Sequence, residues 1–123
     1  MKILLVDDDV FLRDMYAMKF IECGHAVTPA VNALDALRVL EGDAAFELML
    51  VDMIMPGMTG VELMTEIRRL QPESEMKYIV LSNQGQDQDI EEATEAGAVG
   101  YIIKAQSVPS EVVKRVEQIM STL

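Results

Sequence analysis

Polar side chains follow four short apolar runs of this chain, and their types are those that bind and transfer phosphate. Asp7 and Asp8 come directly after the first run, and Asp52 follows a later one. Ser82 and Lys104 follow two further runs. Carboxylates brought together repel one another unless a cation lies among them, and Mg²⁺ takes carboxylates, backbone carbonyls and waters. A cation, a hydroxyl and an ammonium can together hold a phosphoryl group, which a carboxylate nucleophile can accept.

The apolar runs predict five strands, because each is short and nearly continuous in hydrophobic residues. These strands are expected at residues 2–6, 25–30, 47–51, 78–81 and 99–103. Amphipathic helices are predicted at residues 10–23, from Asn32 to Gly42, at 60–70, at 87–96 and from Pro109 onward. Asp9 and Asn32 are the predicted N-caps of the first two helices.

A strand followed by a helix, five times over, is typical of a parallel sheet covered by helices on both faces. The compact solution is a doubly wound, flavodoxin-like α/β fold with strand order 2-1-3-4-5. Ligands bind such folds beyond the carboxyl ends of the strands, near the point where the strand order reverses. The site candidates are therefore expected to meet at that edge of the sheet, namely Asp7, Asp8, Asp52, Ser82 and Lys104.

Composition and charge restrict the class of partner. The formal net charge of −11 disfavours direct nucleic-acid binding and anionic membranes, and favours cations or basic protein surfaces. No apolar run approaches the roughly 20 residues of a membrane span, and the N-terminal run is too short for a signal peptide. A single cysteine, Cys23, excludes an internal disulfide, so we expect a cytoplasmic protein. We also expect one domain over residues 1–123, with no output domain within this chain, which is either a stand-alone protein or part of a longer one.

Four segments of the chain stand out together: "ILLVDDD" (3–9), "LVDMIMPGMTG" (50–60), "VLSN" (80–83) and "GYIIKA" (100–105). In order and spacing, over essentially the whole chain, they resemble the receiver domain of bacterial two-component response regulators. The resemblance implies that Asp52 is the phospho-acceptor and that Asp8 ligates Mg²⁺ directly. Asp7 then acts on the metal through water, and the backbone carbonyl of Ile54 is the third protein ligand.

The same resemblance assigns the remaining site residues. Ser82 would bond the phosphoryl group, Lys104 would pair with it, and Tyr101 would be the aromatic switch that turns inward when the hydroxyl moves. The turn that shapes the phosphorylation loop corresponds to Pro56, Gly57 and Gly60.

The implied activity is reception of a phosphoryl group from a sensor histidine kinase, a phosphotransfer protein or a small phosphodonor. The domain would catalyse only its own phosphorylation and slow dephosphorylation. Phosphorylation would then switch the surface of the fourth helix, fifth strand and fifth helix for an unknown downstream protein. The domain would be a monomer or an activation-dependent dimer. The acidic segment 87–95 lies on that surface and is a candidate partner contact.

Several positions depart from the family pattern. Ala105 stands where proline is usual, and we expect a trans bond there because a cis non-proline bond costs about 2.5–4 kcal/mol. Asn83 replaces a small residue, where it could crowd the phosphoryl group or donate a hydrogen bond. Ile54 and Gln84 occupy positions that tune hydrolysis in the family, and the Ile54 side chain cannot orient a water by hydrogen bonding.

Three other functions compete with this interpretation. A haloacid-dehalogenase-type phosphatase needs a second Asp two residues after the nucleophile, where this chain has Ile54. A flavodoxin-like cofactor site needs a hydroxyl- and glycine-rich first loop, where this chain has three acids that would repel phosphate. A phosphorylation-independent interaction module remains the alternative, although it has no need of the complete set formed by Asp8, Asp52, Ser82 and Lys104.

Two expectations concern side chains near these segments. Cys23 lies near the end of an apolar helix face and is predicted to be a small buried hydrophobe. The methionines around the candidate site are predicted to be partly exposed, namely Met53, Met55 and Met58.

Overall fold

The computed structural model describes residues 1–123 and contains every predicted element, with differences only at element ends. The five strands are β1 (Lys2–Val6), β2 (Ala26–Ala30), β3 (Leu48–Val51), β4 (Lys77–Ser82) and β5 (Ala98–Ile103). The five α-helices are α1 (Val10–Glu22), α2 (Ala33–Gly42), α3 (Gly60–Leu70), α4 (Asp87–Glu95) and α5 (Pro109–Ser121). One turn of 3₁₀-helix, Lys104–Gln106, follows β5.

The strands form one parallel sheet in the order β2-β1-β3-β4-β5, which confirms the doubly wound, flavodoxin-like fold. Alternate residues of β1 enter different cores: Leu4 and Val6 pack on one face, and Ile3 and Leu5 on the other. Because both faces are buried, the central strands β1 and β3 are apolar at nearly every position rather than at alternate ones. The carboxyl ends of β1, β3, β4 and β5 therefore lie along one edge.

The first three helices begin at side-chain caps. The Asp9 side chain accepts a hydrogen bond from the Leu12 N–H at 3.1 Å, as predicted for the start of α1. Asn32 likewise caps α2. Thr59 and Glu62 form a reciprocal capping box at the start of α3. These caps satisfy backbone N–H groups that would otherwise lack partners at helix starts.

Two predictions about side-chain burial are wrong. Cys23 is exposed, because it follows the last turn of α1 as its C-cap and has left the buried face of the helix. Met53 and Met55 are each only 6% exposed, because the loop after β3 folds back onto the core that also contains Val51. Only Met58 is partly exposed.

None of the helices combines the length and apolar character that crossing a membrane would require.

Candidate functional site

Three aspartates that follow two neighbouring strands form an acidic cluster at the carboxyl edge of the sheet. Val6 of β1 lies beside Val51 of β3, so the residues that follow, Asp7 and Asp52, are brought together. One carboxylate oxygen from each of Asp7, Asp8 and Asp52 lies within 4.8 Å of the others. Asp7 is buried, Asp52 half-buried and Asp8 exposed. The structure thus brings together the three acids that the sequence predicted would meet.

Lys104 supplies a buried positive charge between two of these acids. Its Nζ donates to Oδ2 of Asp7 at 2.6 Å and to Oδ2 of Asp52 at 3.0 Å. Burial alone would lower the pKa of the Lys104 ammonium, but the hydrogen bond to Asp7 and the charge of Asp52 outweigh burial and raise this pKa. Lys104 is therefore held in its charged form, as a phosphoryl-binding lysine needs to be.

Asp7 is held on both carboxylate oxygens. Oδ2 accepts from Lys104, and Oδ1 accepts from the backbone N–H of Asp9 at 3.0 Å. Burial nevertheless raises the pKa of the Asp7 carboxyl above its usual value, and the hydrogen bond from Lys104 offsets only part of that shift. The charged form of Asp7 is thus costly in the folded protein, and a further cation near it would lower that cost.

Asp52 is tied to its own loop through its other oxygen. Oδ1 accepts a hydrogen bond from the backbone N–H of Ile54 at 3.2 Å. Ile54 therefore lies next to the acidic cluster, and its side chain is 54% exposed. This exposed apolar side chain offers no hydrogen bond to a water near Asp52.

Two glycines shape the loop that follows Asp52. A Cβ on Gly60 would lie 2.4 Å from the Asp52 carbonyl oxygen, a distance that no side chain tolerates. Gly57 has a φ of +86°, in the left-handed region that favours glycine. The Gly60 N–H also donates to the Met53 carbonyl at 3.0 Å, which fixes the start of α3 against the loop. Gly57 thus lies in the predicted turn, and Gly60 is the first residue of α3.

Ser82 and Tyr101 are connected through one residue of the loop after β4. The buried Ser82 Oγ accepts a hydrogen bond from the Gln84 N–H at 3.2 Å. The Tyr101 hydroxyl donates to the Gln84 carbonyl oxygen. Burial raises the pKa of the Tyr101 phenol, and the nearby Asp89 charge raises it further, so the hydroxyl keeps its proton.

The positions that depart from the family pattern lie at the surface around the site. No peptide bond in the chain is cis, so the Lys104–Ala105 bond is trans as predicted. After Lys104 the backbone turns at once into the 3₁₀ segment. Asn83 is exposed and lines an open polar pocket of about 560 Å³. Its side chain is therefore not packed into the space around Ser82.

The donor set fits Mg²⁺. Carboxylate oxygens are hard ligands, and the cluster carries three of them against the single ammonium of Lys104. The excess negative charge favours a divalent cation between Asp8 and Asp52, which are the more accessible of the three acids.

Arg13 was missed by sequence reasoning. It is only 9% exposed, and its Nη1 donates to the backbone carbonyl oxygen of Asp7 at 3.1 Å. The signal was its position: Arg13 lies one turn before Tyr16 and two turns before Phe20 on the buried face of α1. A charge on an apolar stripe usually has a buried partner.

The sequence is similar to that of the response regulator receiver domain, whose family profile matches residues 3–117. An uncharacterized 14.6 kDa protein of Leptolyngbya boryana is 34% identical over 96% of this chain and 88% of its own length. The transcriptional regulatory protein ResD of Bacillus subtilis is 34% identical over 97% of this chain but 48% of its own length, so this chain spans about half of ResD. The structure of a CheY-like response regulator receiver domain protein from Methanospirillum hungatei has a TM-score of 0.84 at 29% identity, covering 98% of this chain and 94% of that one.

Proposed function

Because the chain belongs to the response regulator receiver domain family, we propose that it accepts a phosphoryl group on Asp52 and so controls the binding of a partner protein. The donor is a sensor histidine kinase, a phosphotransfer protein or a small phosphodonor. The observation that carries the proposal is the placement of Lys104 between Asp7 and Asp52, beside an acidic cluster suited to Mg²⁺.

The transfer step uses the carboxylate of Asp52 as nucleophile. One of its oxygens forms a bond to phosphorus while the bond from phosphorus to the donor breaks, and the electron pair of that bond leaves with the donor. Lys104 already donates to Asp52 and can bond a phosphoryl oxygen as the negative charge moves outward. Mg²⁺, when held by Asp8, Asp52, the Ile54 carbonyl and, through water, Asp7, supplies neutralisation of charge on the phosphoryl oxygens.

The switching step begins at Ser82. Its hydroxyl accepts from the Gln84 N–H in this structure, so its own proton can be donated to a phosphoryl group on Asp52, which would draw Ser82 and Gln84 toward Asp52. Gln84 also accepts from Tyr101, so the change is passed to β5 and to the surface formed by α4, β5 and α5. Since α4 carries five acids and no base between residues 87 and 95, the downstream partner is expected to present a basic surface.

We propose that the protein is a cytoplasmic signalling switch rather than an enzyme that turns over external substrates. Its only catalysed reactions are its own phosphorylation and a slow dephosphorylation, in which the apolar Ile54 side chain does not help to orient water. We propose that residues 1–123 form one receiver domain that acts through protein contact, as a monomer or as a dimer formed on activation, and that this domain does not itself bind nucleic acid or membranes.

The test is incubation with acetyl phosphate and Mg²⁺, followed by intact mass measurement. We expect one phosphoryl adduct on the wild type, none when Mg²⁺ is chelated, and none on Asp52→Asn. Asp14→Asn is the matched control, because Asp14 is an exposed acid on α1, and it should be modified like the wild type. Absence of any adduct, with beryllofluoride also failing to bind, would favour a phosphorylation-independent interaction module.

A further inference from the structure

Arg13 is a buried cation whose hydrogen bond goes to the backbone of the acidic segment rather than to a carboxylate in the cluster. Its side chain is 10% exposed, and its Nη1 bonds the Asp7 carbonyl oxygen at 3.1 Å. The nearest carboxylate belongs to the exposed Asp14, whose Oδ1 lies 3.9 Å from the Arg13 Nε. Burying a guanidinium on an otherwise apolar helix face is costly, so the contact it makes there requires an explanation.

The carbonyl that Arg13 binds belongs to the peptide that joins Asp7 to Asp8. Asp7 is already held by its N–H, which donates to the Ala30 carbonyl at 3.2 Å, and by both carboxylate oxygens. Asp8 differs, because it is exposed and its carboxylate accepts no hydrogen bond within the chain. The orientation of its peptide therefore limits the directions in which its carboxylate can point.

We infer that Arg13 is a positioning residue for cation binding, which fixes the Asp7–Asp8 peptide so that the Asp8 carboxylate faces Asp52. The inference deepens the proposed function and rests on it for its biological meaning. The planar guanidinium suits the task, because it loses little freedom on forming a hydrogen bond. Groups that orient metal ligands in this way typically change metal affinity by about 10–100-fold.

The positioning role and the charge of Arg13 have opposite effects on Mg²⁺ binding. A positive charge near the cluster repels a cation, so if charge alone mattered, removing it would tighten Mg²⁺ binding. If positioning dominates, removing the hydrogen bond weakens Mg²⁺ binding. The direction of the change therefore distinguishes the two roles.

The experiment is a Mg²⁺ titration followed by the thermal unfolding midpoint and by calorimetry. We expect Arg13→Met to raise the Mg²⁺ concentration at half-saturation about 10-fold, and Arg13→Lys, which keeps a donor, to fall between Met and wild type. Arg69→Met is the matched control, because Arg69 is a largely exposed arginine on α3 that pairs with Glu66, and it should leave the half-saturation unchanged.

Three results would overturn the inference: unchanged half-saturation in Arg13→Met, tighter Mg²⁺ binding in Arg13→Met, or no Mg²⁺ binding by the wild type. A merely structural role would lower the unfolding midpoint in chelator without moving the half-saturation. Arg13→Lys keeps the test decisive if Arg13→Met does not fold. If the wild type binds Mg²⁺ but takes no phosphoryl group, the proposed function fails while the role of Arg13 in cation binding is still measured.

Discussion

The ammonium of Lys104 lies 3.0 Å from Oδ2 of Asp52, although β4 lies between β3 and β5, the strands that directly precede these two residues. Lys104 reaches across the end of β4 and also bonds Asp7 at 2.6 Å. Its side chain is 4% exposed, so the ion pairs are poorly screened by water. One lysine thus balances part of the charge of the acidic cluster, and the remaining negative charge is available to a cation.

Removal of Lys104 should destabilise the metal-free protein. Lys104→Met leaves the buried Asp7 carboxylate without its ammonium partner, so we expect the free energy of unfolding to fall by about 3–5 kcal/mol at neutral pH in chelator. Urea denaturation measures this change. Lys19→Met is the control, because Lys19 pairs with the exposed Glu22, and it should cost less than about 1 kcal/mol. Equal losses in the two variants would contradict the account.

The burial of Asp7 predicts a specific pH dependence. Because the folded-state pKa of Asp7 is raised, its contribution to stability is fully present below the unfolded pKa and is lost as pH rises through the folded pKa. Asp7→Asn does not titrate, so its stability relative to wild type should increase over the pH range that begins at about 4, the usual pKa of an unfolded Asp carboxyl. Urea unfolding of both proteins in chelator across this range measures the difference. A relative stability of Asp7→Asn that falls with pH would contradict the prediction.

The close approach of Gly60 to Asp52 predicts a strong effect from a single methyl group. In Gly60→Ala the new Cβ would meet the Asp52 carbonyl, and either α3 or the loop must move. We expect a loss of about 1–3 kcal/mol in the free energy of unfolding and slower phosphorylation. Gly42→Ala is the control, because nothing lies within 4 Å of a Cβ at that position of α2. The prediction fails if both variants behave alike.

Mg²⁺ should raise the unfolding midpoint of the wild type, because it binds only the folded cluster. At a concentration of 100 times the dissociation constant, the stabilisation amounts to about 2.7 kcal/mol. Asp8→Asn should lose most of this shift, since it removes an accessible carboxylate, whereas Asp14→Asn should keep it. Differential scanning fluorimetry with and without Mg²⁺ provides the comparison. An Asp8→Asn shift equal to that of wild type would refute the cation site.

The sequence predicted the fold and the acidic cluster because both follow from simple geometric rules. Apolar runs alternating with amphipathic helices leave few topologies, and parallel strands place their following residues at one edge. The proximity of Asp7 and Asp52 was therefore predictable, because each directly follows a strand of the same parallel sheet. Their bonds to Lys104 did not, because a flexible lysine at the end of β5 could have faced solvent.

The features that sequence reasoning missed depend on contacts between distant segments. Arg13 resembles any charged helix residue until the helix is docked against the end of β1. Met53 and Met55 follow a strand and look like loop residues, yet the loop folds back over the core. Cys23 extends an apolar helix pattern by one residue beyond the point where the helix ends. In each case tertiary packing decided what local pattern could not.

The most direct test of the central claim is to locate the phosphoryl group. After incubation with acetyl phosphate and Mg²⁺, borohydride reduction converts an aspartyl phosphate to homoserine, which peptide mass spectrometry can locate. The account predicts homoserine at position 52 in the peptide that contains residues 49–60, and at no other aspartate. Homoserine at Asp7, Asp8 or Asp9 instead, or unchanged Asp52 in a protein that carries the phosphoryl mass, would contradict it.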